Sequence, residues 1–151
     1  MLEFHRTTEE EKYKICDWKY KGKYAIYNGL PYEEQLKDNR GFADPKNGFY
    51  SFYDEGKLVG FINLVEEEKA VFLGIGVDPD HCGKGYGQQM CRIACDLSKQ
   101  LFVGKPIYLE VRTWNTRAVK CYEKAGFRIV GSPIVQNTRI GTGEFYHMEA
   151  E

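Results

Sequence analysis

Residues 77–87 read VDPDHCGKGYG and join two segments of different hydrophobic periodicity. Before them, residues 70–77 are apolar at nearly every position, which predicts a strand that is central in a sheet and covered on both faces. After them, apolar side chains recur with the spacing of an amphipathic helix, at Met90, Ile93, Ala94, Leu97 and Leu101. The segment is therefore predicted to be a tight turn that leads from a buried strand into a helix.

Three glycines in this turn, Gly83, Gly85 and Gly87, allow sharp bends and a close approach of the backbone to a ligand. The first N–H groups of the following helix have no partner within it, and together with the helix dipole they favour an anion. Lys84 adds a cation at the rim. These features predict a cradle for a phosphate or a pyrophosphate, although a turn without any ligand also fits the spacing.

Three well-known loops are excluded by the residues present. A P-loop requires Ser or Thr after its glycine-lysine pair, and Lys84 is followed by Gly85. The dinucleotide fingerprint fails because the third glycine comes one residue early. A calcium loop would need oxygen ligands at the positions of Cys82 and Gln89.

A second group of polar residues lies in residues 115–127, which read NTRAVKCYEKAGF. On a helix, Asn115, Ala118 and Tyr122 share one face, so a small residue lies beside two polar side chains. Gly126 fits the left-handed residue that ends such a helix. An alternative remains open, in which Asn115 is a plain N-cap and Tyr122 is the edge of an amphipathic core.

The rest of the chain predicts a mixed α+β fold. Thr8 and Glu11 form a capping box for a helix that runs to about residue 18, and Pro31 lies in the first turn of a second helix over residues 31–36. Strands are predicted at residues 49–53, 58–65, 70–77, 106–112, 127–130 and 143–148. We expect a mixed, mostly antiparallel central sheet flanked by helices, in a single domain of residues 1–151.

The composition is that of an ordinary globular chain. Its 151 residues are 42% hydrophobic and 28% charged, with a formal net charge of −1, which excludes disordered and fibrous classes. Near-neutral charge argues against a nucleic-acid partner. No apolar run approaches the ~20 residues that span a bilayer, and the first residues lack a signal core, so we expect a cytoplasmic protein without membrane contacts. The five cysteines contain no Cys-x-x-Cys pair, and no metal site is expected.

Together, the two motifs resemble the GNAT superfamily of acetyl-CoA-dependent N-acetyltransferases. In that family the first motif reads Gln/Arg-x-x-Gly-x-Gly/Ala after a strand, and the second reads Asn-x-x-Ala-x-x-x-Tyr-x-x-x-Gly-Phe. Residues 115–127 match the second motif at every named position, and the order of elements fits over residues 49–148. The resemblance implies the acyl-CoA N-acyltransferase fold, acetyl-CoA as co-substrate, and direct attack of a primary amine on the thioester.

The resemblance also implies roles for individual residues. The backbone of Ile75 and Val77 would pair with the pantetheine arm, and the N–H groups of the glycine loop would hold the pyrophosphate. Tyr122 would donate a proton to the departing CoA thiolate. The expected cofactor-binding residues are Ile75, Val77, Cys82, Gly83, Lys84, Gly85, Tyr86, Gly87 and Asn115.

Cys82 departs from the family pattern, because it stands where the family has Gln or Arg. A side-chain contact to the phosphates is therefore lost, unless Lys84 replaces it. Because thiols near a helix N-terminus tend to have a lowered pKa, Cys82 could also be a reactive thiol.

The general base is less clear than the acid. Relatives carry a carboxylate on the strand of the first motif, and the matching position here is near Val71, which cannot act as a base. Glu110 is the favoured candidate because its strand should border the site. The alternatives are residues 66–68, His81 and His147, and any of these groups could instead be a solvated surface side chain.

In the superfamily the N-terminal helices form the acceptor wall, which corresponds to residues 18–36. Tyr24, Tyr27 and Tyr32 are expected to bind a small-molecule or protein amine through stacking and cation–π contacts. The alternative is that these aromatic residues belong to an amphipathic core, with their hydroxyls at the surface. A homodimer through an edge of the C-terminal sheet is left open. The rival hypotheses are a non-catalytic CoA-binding regulatory module and an interaction domain whose glycine loop is only a turn.

Overall fold

The computed structural model describes residues 2–150 of the chain. The strands are Glu3–Arg6 (β1), Gly48–Asp54 (β2), Lys57–Glu66 (β3), Val71–Val77 (β4), Ile107–Arg112 (β5), Arg128–Ile129 (β6), Ile134–Thr138 (β7) and Gly141–Ala150 (β8). The α-helices are Glu9–Cys16 (α1), Tyr32–Asp38 (α2), Tyr86–Leu101 (α3) and Thr116–Lys124 (α4). Short 3-10 helices cover Gly22–Tyr27, Gly41–Ala43 and Pro79–His81.

All eight strands belong to one sheet, in the order β1-β2-β3-β4-β5-β8-β6, with β7 also pairing with β8. Every pairing is antiparallel except that of β4 with β5, which is parallel. The predicted mixed, mostly antiparallel α+β fold is confirmed, and β4 lies in the middle of the sheet as expected.

The larger core lies between one face of the sheet and the helices α3 and α4. Its side chains come from alternate strand positions and from the apolar stripe of α3, as the period-2 and helical patterns require. The fully buried members include Phe52, Ile62, Leu73, Met90, Leu109 and Met148. Burial of each such side chain contributes about 1.5–3 kcal/mol, so this layer holds the sheet and α3 in register.

The opposite face of the sheet is covered by the N-terminal elements around α1 and α2, where Ile15 and Phe49 are buried. On β4 this face carries Phe72, Gly74 and Gly76, which stay half-buried. The expectation that β4 is covered on both faces is therefore wrong for this second face, because a cavity lies over it.

The ends of the helices test the capping signals that were read from the sequence. The Thr8 hydroxyl accepts from the Glu11 N–H at 3.2 Å, and the Glu11 carboxylate accepts from the Thr8 N–H at 2.9 Å, so the capping box is confirmed. Helix α1 nevertheless ends at Cys16, before the expected residue 18. Gly126 has a φ of +102° just after α4, as the left-handed cap requires.

Candidate active site

The candidate site is a cavity of about 690 Å³ that opens where two central strands separate. The parallel pairing of β4 and β5 covers only Val71 with Ile107 and Phe72 with Tyr108. Beyond that point the strands no longer pair, and the later residues of both strands line the cavity. The break in pairing therefore exposes backbone in the middle of a sheet, where it can serve a ligand.

The register of β3 and β4 determines which backbone groups of β4 face the gap. The Asp78 N–H donates to the Val59 carbonyl at 2.8 Å, which makes this a hydrogen-bonded pair. Because such pairs alternate with non-hydrogen-bonded ones, Ile75 and Val77 direct their N–H and C=O groups away from β3. They point to the side from which β5 has separated.

Tyr20 forms a hydrogen bond to one of these backbone groups. Its hydroxyl donates to the Val77 carbonyl at 2.7 Å, a contact that the sequence analysis did not anticipate. Ile75 lines the cavity one pleat earlier on the same side of β4. Ile75 and Val77, the two residues expected to pair with a ligand, therefore differ in one respect. The Val77 carbonyl already accepts a hydrogen bond within the protein.

The glycine loop adopts the left-handed backbone geometry that its composition predicts. Gly83 and Gly85 have φ values of +80° and +83°, a region that other residues rarely adopt. Gly85 is the N-cap of the 16-residue helix α3 and supplies no side-chain cap. The first N–H groups of α3 are therefore available to a ligand. The positive end of the α3 dipole lies at the cavity, because the loop and the first turn of the helix line it.

Gly87 has a different reason to be glycine. A Cβ built there would lie 2.9 Å from the Cys121 sulfur of α4, which is closer than real Cβ contacts allow. Its missing side chain lets α3 and α4 pack closely. The third glycine of the motif thus fixes the two helices that flank the cavity, in addition to lying on its wall.

Three other loop residues are placed differently from one another. Cys82 lines the cavity, and its thiol lies 3.5 Å from the Asp78 carbonyl. Burial raises the pKa of the Cys82 thiol, which argues against the reactive thiolate considered from sequence. Lys84 is exposed and is not among the lining residues that the structure describes. Tyr86 lines the wall, with its hydroxyl bonded to the Asp54 carboxylate at 2.6 Å.

Asn115 is the N-cap of α4, as the alternative interpretation of its position predicted, and it also contacts the N-terminal segment. Its side-chain oxygen accepts from the Ala118 N–H at 3.2 Å and caps α4. Its amide nitrogen donates to the Tyr27 hydroxyl at 3.0 Å. At 6% exposure, Asn115 ties the start of α4 to the N-terminal 3-10 helix across the cavity wall.

Tyr122 lies on α4 and lines the cavity. Its ring contacts Phe127 edge to face, with the centroids 6.5 Å apart. Burial raises the pKa of the Tyr122 phenol well above its usual value. The phenol is therefore neutral over the physiological range and retains a proton to donate.

Glu110 is the only carboxylate that lines the cavity among residues 2–150. It lies on β5, and its carboxylate accepts from the Gln136 side chain of β7 at 2.7 Å. None of the competing turn carboxylates at residues 66–68 is in the described lining, and two of them have partners elsewhere, since Glu66 pairs with Lys105 at 2.8 Å and Glu67 accepts from Tyr108. The geometry therefore favours Glu110 over the turn.

Of the two histidines considered as a base, His81 and His147, only one lies at the cavity. His81 lines the cavity, with its Nδ1 3.4 Å from the Asp78 carboxylate. His147 instead pairs with Glu149 at 2.8 Å and stacks on Tyr108, outside the described lining.

The expected acceptor wall is only partly correct. Tyr24 and Tyr27 line the cavity. Tyr32 does not, because it is buried between α1 and α2 with its hydroxyl donating to Glu9 at 2.7 Å. Its expected substrate contact is therefore corrected to a packing role.

The structure adds residues that the sequence analysis missed. The Arg117 guanidinium lies over the Tyr24 ring at 4.2 Å, and Trp114 packs against Tyr24 and Tyr27 with centroids 5.6 and 6.1 Å away. Trp114 directly precedes the second motif and Arg117 lies within it, so their closeness to Asn115 was the available signal. The aromatic cluster beside the cavity thus combines two distant segments.

Among the helices of residues 2–150, none is long and apolar enough to cross a membrane. Within the same residues, no group of three or more His, Cys, Asp or Glu side chains could hold a metal ion.

Comparisons with known proteins agree with this geometry. Residues 12–127 match the Acetyltransferase (GNAT) family. An N-alpha-acetyltransferase RimI from Mycobacterium tuberculosis is 34% identical over 98 residues, which is 62% of this chain and 60% of that protein. A spermidine N(1)-acetyltransferase from Vibrio cholerae is 33% identical over 105 residues, 64% of this chain and 61% of that protein. The matches thus span about three fifths of these relatives' own length.

A solved structure extends the likeness to the whole fold. Spermidine N-acetyltransferase from Vibrio cholerae, in complex with CoA and spermine, superimposes with a TM-score of 0.74 at 21% identity, covering 98% of this chain and 94% of that one. The family match includes the glycine loop, Asn115 and Tyr122. This chain belongs to the GNAT acetyltransferase family.

Proposed function

We propose that this chain is an N-acetyltransferase that transfers the acetyl group of acetyl-CoA to a primary amine by direct attack on the thioester. One observation carries the proposal, the separation of β4 and β5. It places free backbone of β4, the uncapped N-terminus of α3 and the phenol of Tyr122 around one cavity. The backbone suits an extended arm, the helix N-terminus suits an anion, and the phenol can donate a proton to a departing thiolate.

The residues present fit the parts of a CoA molecule. The N–H groups of Gly83 to Gly87 and the dipole of α3 would hold the pyrophosphate. The Ile75 backbone would pair with the amides of the pantetheine arm, as an added strand does. Cys82 supplies no charge to the phosphates, so their binding rests on the backbone and on nearby cations.

Acyl transfer to an ammonium acceptor removes two protons from the nitrogen and supplies one to the sulfur. A primary amine with a pKa of about 10.4 is mostly protonated at neutral pH, so a base must take the first proton before the nitrogen attacks. Glu110 is the carboxylate available for this, directly or through water. As the C–N bond forms and the C–S bond breaks, Tyr122 gives its proton to the thiolate sulfur, and the nitrogen passes its second proton to water as the amide forms. Glu110 then releases its proton to water and Tyr122 regains one, so one proton is released per turnover.

Activity and binding assays separate this proposal from its rival, a CoA-binding module without catalysis. Thiol release from acetyl-CoA would be followed with a panel of primary amines, and acetyl-CoA binding by calorimetry. Saturable turnover is the expected result, and Glu110→Gln should reduce it by about 100-fold. Glu123→Gln, an exposed carboxylate on α4 outside the described lining, is the matched control. Binding without turnover for every amine would favour the rival, and absence of both would refute the proposal.

We further propose that the protein is cytoplasmic, on the basis of its polar composition. We also propose a homodimer, because β7 pairs only with β8 among the described strands and exposes Ile134 and Val135, which are 41% and 67% accessible. Sedimentation analysis would test it, with a monomer at all concentrations as the contrary result.

A further inference from the structure

The wall of the cavity contains an apolar region beside the sheet, which we call the aromatic lobe. The Trp18 and Phe61 rings lie 6.1 Å apart, and those of Phe42 and Phe61 lie 5.2 Å apart. The lobe consists of Ile15, Trp18, Phe42, Phe61 and Phe72, all of which line the cavity. Nothing in the acetyl-transfer chemistry itself requires this apolar surface.

Two glycines of β4 form part of the floor of the lobe. Gly74 and Gly76 lie on the same face of β4 as Phe72, since Val71 and Leu73 point into the core. A Cβ at Gly76 would overlap the Phe61 ring, so this ring lies directly on the strand backbone and covers that glycine. The floor therefore consists of strand backbone and the Phe61 ring, and its apolar part is a surface against which a ring or a branched hydrocarbon can pack.

Glu110 lies at the edge of this floor. On β5 the residues Leu109 and Val111 are buried in the core, so Glu110 belongs to the same sheet face as Phe72. The last parallel pair joins Phe72 to residue 108, so Gly74 and Glu110 are the next residues of this face, on the two sides of the gap between the strands. One carboxylate thus lines the same cavity as the aromatic lobe, across the gap where β4 and β5 separate.

The other charged side chains of the wall are cationic. Among the described residues that line the cavity, four lysines and arginines accompany the single carboxylate, namely Arg112, Arg117, Lys120 and Lys124. Arg112 lies two residues after Glu110 on the same strand face, stacked on Phe145 at 4.8 Å. A second ammonium group close to Glu110 would therefore meet Arg112, and the described lining offers no further carboxylate to pair it.

We propose that the acceptor is a monoamine whose single amino group is carried by an aromatic or branched apolar body, and that polyamines are poor acceptors. The body packs in the aromatic lobe, and the amino group reaches Glu110. This inference rests on the proposed acetyl transfer and narrows its substrate class. It separates this chain from the spermidine acetyltransferase that shares its fold.

The test compares 2-phenylethylamine, tryptamine, n-butylamine and spermidine as acceptors at one pH. The aromatic amines should have kcat/KM values about 10-fold or more above that of spermidine, and above that of butylamine, which offers the same amino group without a ring. Equal or better use of spermidine would overturn the inference and leave the acetyltransferase proposal intact. Lack of acetyl-CoA binding would instead contradict the proposed function.

Calorimetric titration of the same amines into the CoA-bound protein keeps the test independent of turnover. Tighter binding of the aromatic amines supports the inference, and tighter binding of spermidine, or none of the aromatic amines, refutes it.

A variant locates the effect in the lobe. Trp18→Ala should lower kcat/KM for 2-phenylethylamine by about 10-fold while changing that for butylamine by less than about twofold. Tyr13→Ala is the control, because Tyr13 is an exposed aromatic on the neighbouring helix α1 and is absent from the described lining. Unchanged acetyl-CoA affinity in both variants shows that the fold is intact. An equal loss for both amines in Trp18→Ala would count against a role for the lobe in selecting the body.

Discussion

Replacement of Glu11 by glutamine should make the protein less stable in a way that depends on pH. Glu11 is 5% exposed. Burial alone would raise its pKa, but hydrogen bonds from Tyr53, the Thr8 N–H and His5 outweigh burial, and the pKa falls to about 2 from about 4.5. Such a lowered pKa means that the folded structure stabilises the ionised form of Glu11 relative to its protonated form.

The size and the pH window follow from linkage. A pKa of about 2 in the folded state and about 4.5 in the unfolded chain stabilises the fold by about 3 kcal/mol at neutral pH. Because the folded pKa is the lower one, this contribution is complete above pH ~4.5 and is lost as the pH falls toward ~2. At about pH 3, roughly 2 of the 3 kcal/mol should be gone.

Urea denaturation of the wild type and of Glu11→Gln measures this contribution directly. The variant should be less stable by about 3 kcal/mol near pH 7 and by about 1 kcal/mol near pH 3, because glutamine has no charge to lose. Glu10→Gln, one residue away on α1 with a side chain 80% exposed, should differ from wild type by less than about 0.5 kcal/mol at both pH values. A stability gap for Glu11→Gln that is the same at both pH values would refute the reasoning.

Three further substitutions test the site. Tyr122→Phe should lower kcat by about 10- to 100-fold while calorimetry gives an unchanged acetyl-CoA affinity, and an unchanged kcat would remove Tyr122 from the acid role. Gly87→Ala brings a Cβ to 2.9 Å from a sulfur of α4 and should cost about 1–3 kcal/mol of stability in thermal or urea denaturation. Gly29→Ala, where a Cβ meets open space, is its control, and an equal loss in both would contradict the packing argument. Gly85→Ala, at a φ of +83°, should weaken CoA binding by about 10-fold, whereas Lys84→Ala should change it by less than about threefold; the reverse order would mean that charge and not backbone geometry holds the phosphates.

The elements that the sequence predicted well are those whose signal is local. The capping box at Thr8 and Glu11 needs only residues three apart, and the glycine loop needs only the preference of glycine for positive φ. The apolar stripe of α3 needs only its own period. In each case the neighbours along the chain supply the physical cause, so a single sequence was enough.

The strands β1 and β7 escaped prediction because they lack an apolar face. All four residues of β1 are exposed, and β7 has mainly exposed residues as well. Both lie where pairing with a neighbour, and not burial, holds the strand. An alternation of apolar and polar residues is the signal that sequence analysis detects, and here it is absent.

The acceptor wall shows a different limit. Tyr24, Tyr27 and Tyr32 look alike in sequence, yet only the first two reach the cavity. What separates them is contact with distant residues, since Tyr27 meets Asn115 while Tyr32 donates to Glu9. The partner of Glu110, Gln136, is likewise on a strand that the sequence did not predict.

The near-neutral net charge has a similar limit as an indicator of function. A net charge of −1 averages over a molecule in which, among residues 2–150, four lysines and arginines and one carboxylate line the same cavity. The N-terminus of α3 and the three of these cations on α4 suit the proposed CoA phosphates, and Glu110 suits an amino group. Arg112, on the same face of β5 as Glu110, disfavours a second ammonium group there. A fold shared with a polyamine acetyltransferase therefore does not by itself indicate a polyamine acceptor, and the proposed preference for a monoamine rests on the charges beside Glu110.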